Sequence, residues 1–168
     1  MTLSATTANI LSFLNQRENL EFANKDIITQ LNTTSHRMSD VLNVFSAIGI
    51  IDRHTRTYSW KRCDVLLRFS EFVQKVDSPG CSMGILEHTR TVVFLLKTGQ
   101  PIDKVRRTYD VLSVLSAIGL VVKKSKAWSL VQLSYIQIQQ TFPVTPLSEY
   151  DTGILDLPCI SFSFDPDM

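Results

Sequence analysis

The stretch VRRTYDVLSVLSAIGL, Val105–Leu120, decides the fold because the chain carries it twice. Residues 106–121 align with residues 36–51 without a gap, and nine of these 16 positions are identical. A repeat at this distance indicates two tandem copies of a small domain, since a solenoid needs more and shorter units. The chain has 168 residues, enough for two cores of roughly 60 to 70 residues each.

The repeated stretch has the pattern of an amphipathic helix. In the second copy its apolar residues recur at helical spacing, at Val111, Leu112, Val114, Leu115 and Ile118. Gly119 follows this stripe, at a position where glycine commonly ends a helix. The pattern therefore predicts a helix that packs on a core and leaves its polar side free.

Further elements surround the repeated helix in the first copy. Residues 6–16 and 25–31 have helical spacing, and Asn24 is placed to cap the second of these helices. A β-branched run, a charged segment and an aromatic return follow the glycine in both copies, which predicts a β-hairpin. Three helices and a hairpin form a winged helix-turn-helix. We predict a mainly α fold with small β-hairpins (α+β), arranged as two tandem winged helix-turn-helix domains.

The repeat also predicts domain boundaries. These are residues 1–63 for winged-helix domain 1, 64–77 for a helical linker, 78–138 for winged-helix domain 2 and 139–168 for an acidic-hydrophobic C-terminal tail. In the second copy only TGQPIDKV separates a helix ending near Lys97 from Arg106. Either Pro101 opens a single turn there, or residues 64–76 and 84–97 are helices one and two. The sequence leaves both alternatives open.

Charge is distributed unevenly along the chain. The net charge is only +1, which by itself predicts no partner of either sign. Residues 1–140 contain all 17 Lys and Arg but 11 of the 16 acidic residues, while residues 141–168 contain the other five and no base. A mildly basic body with an acidic tail follows. Acidic-hydrophobic segments of this kind are typical of short interaction motifs.

Patterns typical of enzymes are missing from the sequence. It has no glycine-rich phosphate loop, no HExxH, no GxSxG and no paired-carboxylate pattern, so we predict no enzyme, no cofactor and no metal site. The three cysteines are widely spaced and indicate reduced thiols. No segment approaches the roughly 18 apolar residues of a membrane span, so we predict no membrane partner.

The segment RRTYD, residues 106–110, precedes an apolar helix that ends in Gly-Leu. This pattern resembles the recognition helix of the E-two-promoter-binding factor (E-two-F) and DP transcription factors, and Ser82–Leu86 is similar to the opening of helix one in that family. In the first copy, residues 24–61 run nearly in register with the family from helix two to the second wing strand. Some atypical members carry two DNA-binding domains in one chain, so the resemblance implies an internal pseudodimer.

The resemblance implies a nuclear regulator of transcription that binds double-stranded DNA at GC-containing, cell-cycle-type promoter elements. A guanidinium can bond guanine O6 and N7 together in the major groove. The base-reading candidates are Arg106, Arg107, Arg37 and His36. The phosphate-binding candidates are Tyr109, Arg53, Arg56, Lys61, Lys104, Lys123, Lys124 and Lys126. His36 and Ser39 replace the arginine and tyrosine of the motif, so the first copy is expected to read DNA loosely or not at all.

Two protein partners are also implied by the resemblance, a DP-like winged-helix partner and a pocket-type regulator that binds the C-terminal tail. No long heptad segment is present, which favours a chain that needs no coiled-coil partner. Tandem winged helices also serve as scaffolds, so the alternative function is a protein-interaction scaffold without specific DNA binding. Asp40 and Asp110 would repel phosphate if they were free, and we expect each to bond a neighbouring group, such as an arginine.

Overall fold

The structure is a computed structural model that describes residues 1–131. In chain order the elements are α1 (Leu3–Gln16), β1 (Glu21–Phe22), α2 (Asn24–Leu31), α3 (Ser35–Ala47), β2 (Ile51–Arg53), β3 (Tyr58–Trp60), α4 (Val65–Lys75), α5 (Ile85–Thr98), α6 (Arg106–Ala117), β4 (Val121–Lys124) and β5 (Ala127–Leu130). The described chain is mostly helical with small antiparallel sheets, as the sequence predicts. The predicted tail, residues 139–168, lies outside the described residues.

The first repeat is a winged helix whose wing has three strands. The strand order is β1-β3-β2, and β1 pairs antiparallel with β3. Phe22 lies opposite Tyr58, and their rings stack with centroids 5.5 Å apart. The sequence predicts the hairpin of β2 and β3 but not the third strand, because β1 has only two residues and carries no periodic pattern.

Two helix starts differ from the prediction. The first helix begins at Leu3, since the hydroxyl of Thr2 accepts a hydrogen bond from the backbone N–H of Ala5. Asn24 is the first residue of α2 and does not cap it. At the start of α2 the side chain of Asp26 makes the capping contact instead: its carboxylate accepts a hydrogen bond from the backbone N–H of Ala23 at 2.9 Å. The predicted cap at Asn24 is wrong.

The second hairpin repeats the register of the first at the positions that the sequence repeat makes equivalent. Arg53 lies opposite Tyr58 in the first wing, and Lys123 lies opposite Trp128 in the second. The two repeated helices also end in the same way. Gly49 has φ +82° and Gly119 has φ +79°, the left-handed conformation in which glycine is favoured after a helix.

The second repeat has no helix two among its described residues. Residues 99–105 connect α5 directly to α6 without a helix or strand. The hydroxyl of Thr7 bonds the carbonyl of Leu3 in α1, and the hydroxyl of Thr89 bonds the carbonyl of Ile85 in α5, at the same place in two helices of 14 residues. In this feature α5 resembles α1, while Pro101 opens no helical turn in residues 99–105. A second complete winged-helix domain stays a prediction.

The two repeats pack directly on each other. α1 of the first repeat contacts α6 of the second, α5 contacts α3, and α3 and α6 also meet. Apolar side chains from both repeats are fully buried, including Leu42, Phe45, Leu112 and Leu115. Full burial of a side chain of this size contributes about 1.5–3 kcal/mol, so the shared core is a large part of the stability.

Helix α4 lies within the predicted linker and packs on α5. Phe69 and Val73 face inward, and the ammonium of Lys97 in α5 donates to the carbonyls of Val73 and Val76 at 2.8 Å. A cation at the C-terminal end of a helix satisfies carbonyls that lack partners within the helix. Among the described helices, none is both long and apolar enough to cross a membrane.

Candidate nucleic-acid interface

A cleft of 550 Å³ lies where the first turns of α3 and α6 come together. Because α1 packs on α6, its first residue, Leu3, also lines this cleft. We call it the interhelical cleft. Its other lining residues are Thr34, His36, Arg37, Asp40, Arg106, Arg107 and Asp110. All four base-reading candidates therefore lie in one place, although they come from two distant segments of the chain.

The starts of the two helices differ. Thr34 caps α3, since its hydroxyl accepts from the backbone N–H of Arg37. Val105 precedes α6 and provides no side-chain cap, so the first N–H groups of that helix have no side-chain partner there. Unpaired N–H groups and the helix dipole make a helix start attractive to anions. Three helices begin at the interhelical cleft, and this adds positive potential to that of its arginines.

Two ion pairs place the arginines of α6. Nη1 of Arg107 lies 3.7 Å from Oδ1 of Asp40, which belongs to the other repeat. Nε of Arg106 lies 4.0 Å from Oδ2 of Asp110, one turn further along its own helix. The expected pairing of both aspartates with arginine is confirmed. Arg106 remains 91% exposed, so its guanidinium is free to meet a ligand.

The carboxyl of Asp40 is held in an unfavourable setting. Burial raises its pKa above the ordinary value, and the charge of Asp110 raises it further. Arg107, His36 and Arg106 lower the pKa, but less than the first two effects raise it. Ionised Asp40 therefore costs the folded protein free energy even though it has cationic neighbours.

Six of the eight phosphate-binding candidates lie in or beside the two wings. Arg53, Arg56 and Lys61 lie in or beside the first wing, where Arg53 donates to the side chain of Asn43 at 3.1 Å and Lys61 pairs with Asp52 at 3.0 Å. Lys61 therefore has an intramolecular partner already. Lys123, Lys124 and Lys126 are exposed in the second wing.

A second cleft, of 430 Å³, lies between the end of α5 and the second wing. Four phosphate-binding candidates line it: Lys104, Tyr109, Lys123 and Lys126. We call it the wing cleft. Its floor is apolar, with Leu95, Leu96, Ile102 and Trp128. The ammonium of Lys123 lies 5.8 Å from the centre of the Trp128 ring, within the range of a cation–π contact.

Three features of these sites were not predicted from the sequence. The lining roles of Leu3 and Thr34 were missed, because neither residue belongs to the repeated stretch. An arginine was expected beside Asp40, but not Arg107 of the other repeat. An ion pair between repeats depends on how the repeats pack, and no spacing within the sequence contains that information. The one signal in the sequence was that the two repeated helices carry charged residues at equivalent positions, namely aspartates at Asp40 and Asp110 and arginines at Arg37 and Arg107.

Residues that could hold a metal do not cluster in residues 1–131, where no group of three or more His, Cys, Asp or Glu side chains is close enough. Cys63 and Cys81 are free thiols. The described part of the chain therefore offers two clefts with cationic linings, and both suit an anionic ligand.

Comparison with known proteins identifies the family of the first repeat. Residues 1–62 match the model of the E-two-F/DP family winged-helix DNA-binding domain. No curated protein and no solved structure matches the chain significantly. The matched range ends just after the first wing and so covers α1 to β3. Residues 1–62 are therefore similar to the winged-helix DNA-binding domain of the E-two-F/DP family, which is a family of DNA-binding regulators.

Proposed function

We propose that the protein is a sequence-specific regulator of transcription that binds double-stranded DNA with both repeats at once. The observation that carries this proposal is the interhelical cleft, where His36, Arg37, Arg106 and Arg107 lie together at the starts of two equivalent helices. A helix start with a free guanidinium can enter the major groove and bond a guanine edge. GC-containing promoter elements are the expected targets, and a nuclear location follows from that role.

The aspartates of the interhelical cleft fit this proposal in a particular way. Each is about a quarter exposed, and each accepts an arginine that belongs to the proposed DNA-facing surface. An acid at this depth is shielded from phosphate and can hold a guanidinium in a fixed direction. Asp40 and Asp110 would then orient Arg107 and Arg106 and would make no DNA contact themselves.

The two repeats are expected to contribute unequally. In the first repeat His36 and Ser39 stand where the second has Arg106 and Tyr109, and imidazole cannot make the bidentate contact of a guanidinium. Phosphates on either side would meet the basic residues of the two wings, Arg53 and Arg56 in the first and Lys123, Lys124 and Lys126 in the second. The proposed target is an asymmetric DNA site in which the half-site contacted by α6 is recognised more strictly than the half-site contacted by α3.

One chain is proposed to be sufficient for one duplex. The contacts of α1 with α6 and of α5 with α3 supply inside one chain the pairing that two separate winged-helix proteins would supply. A DP-like partner is then unnecessary for binding. The proposed pocket-type regulator of the tail stays a prediction from sequence, since the tail lies outside the described residues.

Fluorescence anisotropy with two labelled duplexes tests the proposal. One duplex has a GC core, the other has the same base composition in scrambled order, and both are titrated at two salt concentrations. We expect tighter binding to the GC core, saturation at one chain per duplex and a steep loss of affinity with salt. Equal affinity for the two duplexes would contradict specific recognition.

The alternative function is a tandem winged-helix scaffold that binds protein and has no DNA preference. The near-zero net charge of +1 favours it. The two functions differ in the effect of Arg106→Ala combined with Arg107→Ala. A DNA reader loses its preference for the GC core in this variant, whereas a scaffold keeps its protein partner and never had the preference.

A further inference from the structure

The outer edge of the last wing strand is covered by β1 in the first repeat, whereas in the second repeat none of residues 1–131 pairs with it. In the first repeat, β1 pairs with the edge of β3 that faces away from β2, and the backbone N–H of Trp60 donates to the carbonyl of Leu20 at 2.8 Å. In the second repeat β4 and β5 form a two-stranded sheet, and no described residue pairs with the other edge of β5. The short segment 99–105 replaces the longer connection that contains β1 in the first repeat.

Register shows which backbone groups face this open edge. Lys61 donates its N–H to Ile50 on the β2 side, and Val131 donates to Leu120 on the β4 side, at equivalent positions of the two repeats. Because successive residues of a strand point to opposite edges, the N–H of Leu130 points outward as that of Trp60 does. The edge therefore presents the groups that a further strand would bond.

Side chains at the open edge are less covered than their counterparts. Tyr58 and Trp60 are 6% and 2% exposed, whereas the equivalent Trp128 and Leu130 are only half-buried. Phe22 of β1 accounts for part of this difference, since it is 2% exposed and stacks on Tyr58. Next to Trp128 lies the wing cleft, with its apolar floor of Leu95, Leu96 and Ile102.

We infer that the open edge of β5 and the wing cleft bind an extended acidic-aromatic peptide of a partner protein, which adds a strand to the second wing. The peptide would bond the backbone of Leu130 and Trp128 and place its aromatic ring against the Trp128 ring, as Phe22 lies against Tyr58. Binding by strand addition draws affinity from main-chain hydrogen bonds and specificity from side-chain pockets.

The preference for acidic residues follows from the rim of the wing cleft. Lys104, Lys123 and Lys126 line it, and all three are exposed. In the first repeat the strand that fills the equivalent edge is Glu21–Phe22, an acid followed by an aromatic residue. Strand β1 therefore shows which kind of peptide fits such an edge: one with an acidic residue followed by an aromatic residue.

A labelled peptide with the sequence of residues 17–24, RENLEFAN, is the probe for this proposal. It is titrated in an anisotropy assay against the full chain, with RENLEAAN as the matched peptide that lacks the aromatic ring. We expect saturable binding of RENLEFAN and at least tenfold weaker binding of RENLEAAN. No saturable binding, or equal binding of the two peptides, would overturn the proposal.

The edge itself is tested with Leu130→Pro, and Leu130→Ala is the matched control. Proline removes the outward N–H and is tolerated at an edge position, while alanine keeps the N–H and shortens the side chain as well. Circular dichroism and a melting curve establish that both variants fold, and an edge variant that unfolds is replaced by Trp128→Ala, which removes the stacking ring.

We expect Leu130→Pro to weaken peptide binding about tenfold more than Leu130→Ala, and duplex DNA binding to stay as in the unchanged chain. Equal peptide binding by the two variants would overturn strand addition. If Leu130→Pro weakened DNA binding and the peptide did not bind, the edge would serve nucleic acid and the peptide proposal would be wrong.

Discussion

Arg107 of α6 pairs with Asp40 of α3 across the two repeats, with 3.7 Å between Nη1 and Oδ1. The side chains are 49% and 24% exposed, so solvent screens the pair and its contribution to stability is small. The pair matters for position instead: it connects α3 and α6 at the interhelical cleft and directs the guanidinium of Arg107 toward the proposed DNA surface.

Asp40→Asn tests the electrostatic setting of this pair. The pKa of Asp40 is raised in the folded protein, so its favourable contribution is present below the ordinary aspartate pKa and is lost as pH rises through the raised value. At pH 7 the ionised carboxyl is a net cost. We expect Asp40→Asn to have a higher free energy of unfolding than the unchanged chain at pH 7, measured by urea unfolding, and this gain to shrink as pH falls toward the ordinary aspartate pKa.

Asp103→Asn is the control for this experiment, since Asp103 is exposed and lies outside the interhelical cleft. We expect Asp103→Asn to show no gain in the free energy of unfolding at pH 7 comparable with that of Asp40→Asn. A large loss of stability in Asp40→Asn at pH 7 would show that the pair with Arg107 outweighs burial, which is the opposite of the expected result.

Leu112→Ala tests the shared core. Leu112 is fully buried in α6, which packs on α1 of the other repeat, so the substitution should cost about 2–5 kcal/mol. The two tryptophans lie one in each repeat, so Trp60→Phe and Trp128→Phe leave one reporter each. In urea unfolding followed by fluorescence, we expect both reporters to shift together. A shift of Trp128 alone would mean that the repeats unfold independently.

Much of the fold could be predicted from the sequence, because a repeated apolar stripe and its terminal glycine are local patterns. The helices containing Val111 and Val41, and both hairpins, follow from such patterns. β1 could not be predicted, since its two residues are held by the stacking of Phe22 on Tyr58 and not by a local pattern. The interhelical cleft could be predicted only in part, because the resemblance of RRTYD to the family motif identifies its arginines but not the partner that Asp40 meets across the repeats.

Lys124→Gln combined with Lys126→Gln tests the phosphate role of the second wing. Both lysines are exposed, and each phosphate contact removed should lower the slope of log affinity against log salt by about 0.9. We expect the slope to fall by about 2 and affinity to weaken to a similar degree for GC-core and scrambled duplexes. An unchanged slope would place these lysines away from DNA.

His36→Arg tests the inequality of the repeats. The residue is exposed at the start of α3, at the position that Arg106 has in α6. A guanidinium there can make the bidentate guanine contact that imidazole cannot, a contact of about 1–3 kcal/mol. We expect tighter binding to a duplex with a guanine in both half-sites, measured by anisotropy. No gain on any such duplex would mean that α3 does not approach base edges.

The central claim is that helices from both repeats read one duplex. The most direct measurement compares the ratio of GC-core to scrambled affinity in the unchanged chain with that in two double variants, Arg106→Ala with Arg107→Ala and His36→Ala with Arg37→Ala. We predict a ratio at least about tenfold lower in the α6 variant and a smaller but measurable fall in the α3 variant. A ratio unchanged in both variants would contradict the claim.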